Sequence, residues 1–152
     1  MKTKFILYAF LIVLFTACND DDDNPCSDTV VTTASLETEY GCTETKYQME
    51  IDLTDDFTVI TNQTDFNTLV TGDCQPNIDF ANYDLVIGKK GLFSGNTSIN
   101  YEMIKDCETN NLTLTVTFVQ NAASEAPNLT YHALIPKLTS GQSVMVEIEL
   151  TY

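Results

Sequence analysis

The sequence predicts a mostly β, α+β fold: an antiparallel sheet or a partly closed barrel, with one short helix at about 63–71 packed on it. Three observations lead there. Apolar and polar residues alternate with a period of two in several separate segments, as half-buried strands require. Those segments are divided by short stretches of turn chemistry. Only one stretch after the N-terminal leader has the spacing of an amphipathic helix.

The elements follow in order. Met49, Ile51 and Leu53 alternate with Glu50 and Asp52, a half-buried strand. Phe57 to Ile60 is a second short apolar run, and Asp55-Asp56 before it reads as a turn. In TNQTDFNTLV, Asn62 can cap a helix, and Asp65 sits near its positive end. Phe66, Leu69 and Val70 share one face, and Gly72 ends the helix. GDCQPNID, residues 72–79, is a loop. Tyr83 to Gly88 contains Leu85-Val86-Ile87, an unbroken apolar run that reads as a well-buried strand. Ile99, Tyr101 and Met103 alternate with Asn100 and Glu102. DCETNN, residues 106–111, is a turn. Leu112, Leu114, Val116 and Phe118 alternate with threonines, the cleanest strand pattern in the chain. Residues 121–128 form a loop with Pro127. Leu129, Tyr131, Ala133 and Ile135 make another strand. Val144, Val146, Ile148 and Leu150 make the last, with Glu147 and Glu149 outward. Short connections between successive strands favour antiparallel pairing throughout.

The N-terminus is an export signal. Lys2 and Lys4 precede an apolar run from Phe5 to Phe15, which is too short for a permanent membrane span and suited to a signal peptide. Small Thr16 and Ala17 then lead into Cys18. Phe15-Thr16-Ala17-Cys18 resembles a bacterial lipobox, so residues 1–17 are expected to be removed and Cys18 to be lipidated by acyl chains such as palmitate. The run NDDDDN, residues 19–24, is a solvated, self-repelling spacer. Acid directly after the lipidated cysteine also resembles the signal of Bacteroidetes-type lipoproteins displayed on the outer face of the outer membrane. A periplasm-facing anchor is the alternative. The organisation expected is therefore a signal peptide (1–17), a lipidated acidic tether (18–29) and a β-rich domain (30–152).

Charge narrows the partners. After removal of residues 1–17, which hold two lysines and no acid, five of the 7 basic residues remain against 22 acidic ones, a net charge of −17. There is no arginine. Phosphate binding needs clustered Lys and Arg, so a nucleic-acid partner is excluded. Anionic lipid headgroups would repel the domain, so membrane contact is expected through the lipid alone; divalent cations and a basic protein partner both stay open. Four cysteines remain besides Cys18: Cys26, Cys42, Cys74 and Cys107. An even number in an exported chain points to disulfides. Three connectivities are open; Cys26–Cys42 with Cys74–Cys107 is the one favoured, stapling the tether to the domain and a Pro-bearing loop to a hairpin turn. Zinc is disfavoured, since no pair has CxxC spacing and there is one histidine.

No catalytic residues, cofactor or metal site are expected. His132 lies in a strand on the face opposite Leu129, Tyr131 and Ile135, and reads as a solvent-face or interface histidine. Acids are too scattered to single out a glycosidase pair, and no Gly-rich phosphate loop occurs. Gly88-Lys89-Lys90-Gly91 carries the only basic pair. It reads as turn chemistry or an edge-strand guard, and with Phe93, which has no core register, as a candidate contact surface. Asp28-Thr29-Val30 resembles a short bacterial O-glycosylation motif, making Thr29 a candidate modification site.

Residues 57–150 also resemble the PrcB C-terminal family, from a lipoprotein of bacterial protease complexes. The resemblance rests on Asp79-Phe80 before the strand Leu85-Val86-Ile87, on Ser94-Gly95-Asn96 opening a strand before Ile99, and on a strand ending Ile135-Pro136-Lys137. The helix from Asn62 to Val70 fits it as well. The family's double-glycine loop is here only Gly95, and Cys74 and Cys107 are no part of its pattern. The resemblance implies a non-catalytic module that assists a secreted protease or an envelope complex. Two readings of other classes stand beside it: a carboxylate-based hydrolase and a purely structural envelope component.

Overall fold

The structure, a computed structural model, describes residues 26–152. The signal peptide, Cys18 and the acidic run lie outside the described residues. The first strand, β1, spans Thr29–Val31. Two short helices follow, α1 (Leu36–Tyr40) and α2 (Thr45–Gln48), then β2 (Met49–Ile51) and β3 (Phe57–Ile60). Helix α3 (Gln63–Leu69) leads into β4 (Val70–Gly72). Five longer strands complete the chain: β5 (Tyr83–Gly91), β6 (Asn96–Lys105), β7 (Leu112–Gln120), β8 (Asn128–Pro136) and β9 (Val144–Thr151).

The strands form three sheets, ordered β1-β6-β7-β9, β3-β5-β8 and β2-β4. None closes into a barrel. The four-stranded sheet turns one face to the three-stranded sheet. Leu112, Leu114, Val116 and Phe118 of β7, each 3% exposed or less, meet Leu129, Tyr131, Ala133 and Ile135 of β8 there. Phe118 and Tyr131 pack edge to face, ring centroids 6.0 Å apart. The other face of β3-β5-β8 is covered by a third layer of α1, α3 and the β2-β4 pair, through Leu36, Met49, Phe66 and Val70 against Leu85, Ile87 and Leu134. The middle sheet is thus buried on both faces, which is why β5 reads Leu-Val-Ile without alternation.

The pairings are antiparallel except one. β9 runs parallel to β7, in register from Leu112↔Val144 to Val119↔Thr151. The expectation of antiparallel pairing throughout fails here, because β8 between them crosses to the other sheet and brings the chain back to the starting end. The single-helix expectation is also corrected. Helix α3 forms, with the Asn62 side chain accepting from the Asp65 N–H, but it ends at Leu69 and not at Gly72: Val70–Gly72 pairs as β4, and Leu69 is exposed while Phe66 and Val70 are buried. Helices α1 and α2 add one short turn or so each. Ser35 and Thr38 cap α1 reciprocally, and Gly41 ends it at φ 70°.

Two cysteine pairs sit at disulfide distance, Cys26–Cys107 and Cys42–Cys74, with Cα–Cα 5.6 Å in each. The favoured pairing of sequence neighbours is therefore overturned. Thr29 pairs with Lys105, so β1 lays Cys26 beside the β6–β7 turn that holds Cys107. The Asp28 carboxylate accepts the Cys107 N–H at 3.1 Å in the same place. The Gly41 turn sets Cys42 against the loop after β4, where Cys74 lies. Thr29 begins a strand of the sheet, with its side chain on the exposed surface.

Candidate functional site

The chemistry of the described residues concentrates where α1 and α2 cross the free side of β8. Strand β8 pairs with β5 on one side only. Its other side is satisfied piecemeal. Ala34 bridges Leu134 by two backbone bonds, the Thr130 hydroxyl donates to the Met49 carbonyl at 2.6 Å, and the His132 N–H donates to the Tyr101 hydroxyl oxygen at 3.1 Å. A cavity of about 420 Å³ opens along this seam, lined by Glu37, Thr45, Lys46, Tyr101, Thr130 and His132 among others.

His132 is the centre of the site. It is 3% exposed, so the solvent-face reading is corrected: the face opposite Tyr131 lies under α1, not in water. Its Nε2 lies 3.1 Å from the Leu36 nitrogen and 3.2 Å from a Glu37 carboxylate oxygen, so it accepts from the Leu36 N–H when it carries a lone pair and donates to Glu37 when it carries a proton. The Thr45 hydroxyl donates to the other Glu37 oxygen. Among the described residues, His132 Nδ1 is the buried side-chain polar atom with no hydrogen-bond partner. A buried polar atom left unpaired costs about 1–3 kcal/mol.

The electrostatics follow from these contacts. Burial pushes the Glu37 carboxyl up, but hydrogen bonds from His132 and Thr45, with the field of His132, outweigh it and hold the group at about 2. Glu37 is therefore a fixed anion. Burial raises the Tyr101 hydroxyl far above its usual range, against the smaller opposing effect of the His132 N–H. Tyr101 stays a neutral phenol. Lys46 turns its ammonium to the Asn96 side chain (3.3 Å) and the Thr97 carbonyl (3.4 Å).

Two reactive roles find no support in this geometry. Thr45 donates its proton to a carboxylate held near 2, which is a poor base, and not to the imidazole. A hydroxyl so placed gains no nucleophilic character. A carboxylate acid for hydrolysis would need its pKa raised, and that of Glu37 is lowered.

The residues singled out from the sequence are scattered. Lys89 is 7% exposed and its ammonium is held by Glu50 of β2. Lys90 meets Asp55 at 3.1 Å. The edge-guard reading of this pair is corrected, because β5 is the central strand, between β3 and β8. Phe93 is 93% exposed in the β5–β6 turn, as its lack of a core register led one to expect. The structure does not bring Lys89, Lys90 and Phe93 into one exposed patch. Glu37, Thr45 and Tyr101 were missed as site residues. Their signal is tertiary, because α1 lies 96 residues from His132 along the chain.

A scan against protein-family models, a search of curated proteins and a search of solved structures each return no match.

Proposed function

We propose that the chain is a lipid-anchored envelope lipoprotein, held by Cys18 in the outer membrane and facing the cell exterior, whose domain is a non-catalytic binding or assembly module. One observation carries the binding reading: the cavity at the β8 seam, about 420 Å³, floored by the buried His132 and the fixed anion Glu37. Pockets of this size with a few convergent polar groups are where small ligands and partner side chains bind. The disulfides and the N-terminal signal both support export. Charge supports a basic partner, and the likeness to the PrcB C-terminal family supports a secreted protease or an envelope complex as that partner.

The test is made on intact cells. The chain, tagged at its C-terminus, is mildly cross-linked and captured beside an untagged strain, then compared with Ile99→Trp, which fills the cavity from its half-buried wall. Native mass spectrometry of the captured chain reads bound small molecules. A partner or an added mass present in the wild type and lost in Ile99→Trp supports the reading. The same partners and masses in both, or none above the untagged control, refute it. Cys18→Ser, followed by fractionation, tests the anchor: the variant should leave the membrane fraction.

A further inference from the structure

The last strand carries a second feature, independent of the cavity. β9 forms one edge of the four-stranded sheet and, among the described residues, pairs only with β7. Edge strands of natural proteins are usually guarded by charged side chains, lysine above all, by proline, a bulge or a covering segment, and the only charges on this strand are Glu147 and Glu149. Residues 144–151, VMVEIELT, contain neither lysine nor proline, and their register with β7 is unbroken over eight pairs. Nor is the core-facing side finished. Val144, Val146, Ile148 and Leu150 all lie on the side of Leu112, Leu114, Val116 and Phe118. The apolar cluster between the sheets takes in Val144 and Val146 and stops before Ile148 and Leu150, which stay 37% and 44% exposed. Edge hydrogen-bonding groups and two aliphatic side chains are left open side by side.

A second copy of the chain is a poor occupant. In antiparallel pairing of β9 with itself, the registers that set Ile148 opposite Val146, Ile148 or Leu150 also set Glu147 or Glu149 opposite a glutamate of the other copy; the register that sets it opposite Val144 avoids this but pairs only residues 144–148 of the strand and leaves Leu150 without an aliphatic partner. Like charges directly opposite one another destabilise a strand pair. The net charge of −17 on the exported chain opposes self-association further. A basic strand reverses both effects.

We propose that β9 is a docking edge for an extended segment of a partner protein, one that alternates basic with aliphatic side chains and adds as a fifth strand. Its backbone pairs with the outer edge of β9, its basic side chains lie beside Glu147 and Glu149, and its aliphatic side chains cover Ile148 and Leu150. Strand addition of this kind takes affinity from main-chain bonds and selectivity from alternate side chains.

The experiment uses the full lipidated chain in uncharged detergent and a fluorescent peptide of about seven residues alternating lysine and valine, a usual strand length. Three control peptides are used: glutamate–valine, lysine–serine, and lysine–valine N-methylated at alternate residues. Anisotropy reads binding, and hydrogen exchange reads the amides of 144–151. The lysine–valine peptide should bind saturably and slow exchange in 144–151. Each control should bind about ten-fold or more weakly. The Glu147→Gln/Glu149→Gln variant should weaken the peptide and, at the same concentration, sediment partly as a dimer where the wild type stays monomeric. Equal binding of the lysine–serine or N-methylated peptide would overturn the proposal, as would binding without slowed exchange in 144–151, or no binding. A wild-type dimer protected at β9 would overturn the charge argument and hand the edge to a second copy.

Discussion

Removing one disulfide at a time should expose how the chain is stapled. In the loop-closure account, a cross-link stabilises by restricting the unfolded chain, and the effect grows with the logarithm of the loop it closes. Cys42–Cys74 closes 32 residues, which corresponds to about 3.7 kcal/mol at 25 °C, and Cys26–Cys107 closes 81, which corresponds to about 4.5 kcal/mol. Against a typical domain stability of about 5–15 kcal/mol, either is a large share. Cys42→Ser/Cys74→Ser and Cys26→Ser/Cys107→Ser, unfolded in urea and followed by circular dichroism, should both shift to lower midpoints, the second pair further. Under the neighbour pairing each double variant would instead break both bridges, so the two variants would fall by about the same amount. Mass mapping without reduction decides the pairing directly. Lysines lie between Cys42 and Cys74 and between Cys74 and Cys107, but not between Cys26 and Cys42. Cleavage at lysine should therefore leave three segments joined as one species, and further cleavage at Glu37 and Glu39 should split it into two linked pairs. Release of the segment holding Cys26 and Cys42 as a separate species would refute the connectivity. Losses under about 1 kcal/mol in both double variants would refute the loop-closure reasoning.

Two further outcomes are expected. The Glu37 carboxyl sits at about 2 in the folded chain against an ordinary 4.5. Its folded value is the lower one, so its stabilisation is fully present above about pH 4.5 and is lost as pH falls through about 2. Because the side chain is 37% exposed, the effect is discounted for screening to about 1–2 kcal/mol. Glu37→Gln should flatten that part of the stability profile measured by urea unfolding between pH 5 and pH 2, and an unchanged slope would show that the pair with His132 contributes nothing. Gly72 holds φ 111° and abuts the β2 end of the β2-β4 pair, where an added Cβ would fall on the Gln48 carbonyl oxygen. Gly72→Ala should cost about 3–5 kcal/mol in thermal or urea unfolding; a loss below about 1 kcal/mol would mean that the pair relaxes freely.

The long strands were legible because each has one simple environment. In β7, threonine alternates with large apolar residues, and the burial of residues 112–120 alternates with it. In β5, Leu85-Val86-Ile87 carries no polar face because the strand has none. Where a residue's environment depends on a third layer, the sequence misleads. Lys89 and Lys90 look like edge chemistry, yet they are ion-paired residues of a central strand. The short elements α1, α2, β1 and β4 were unreadable because three to five residues carry too little periodicity, and their stability comes from packing and caps.

Strand β8 shows how the candidate site could have been found. Read with a period of two, it offers Leu129, Tyr131, Ala133 and Ile135 to the core and leaves Thr130, His132 and Leu134 for water. Yet NLTYHALIP has no formally charged side chain on either face, unlike β9, whose exposed face carries Glu147 and Glu149. A strand that spares charge on its second face is telling that this face is covered too. A polar residue on such a face must find partners inside the protein, because a buried group left unpaired is costly. Thr130 finds the Met49 carbonyl. His132 finds the Leu36 N–H or, with Nε2 protonated, Glu37, while Nδ1 finds nothing in the protein. Covered strand, buried histidine, anionic carboxylate and adjoining cavity thus form one chain of consequence, and the ligand proposed for that seam rests on it.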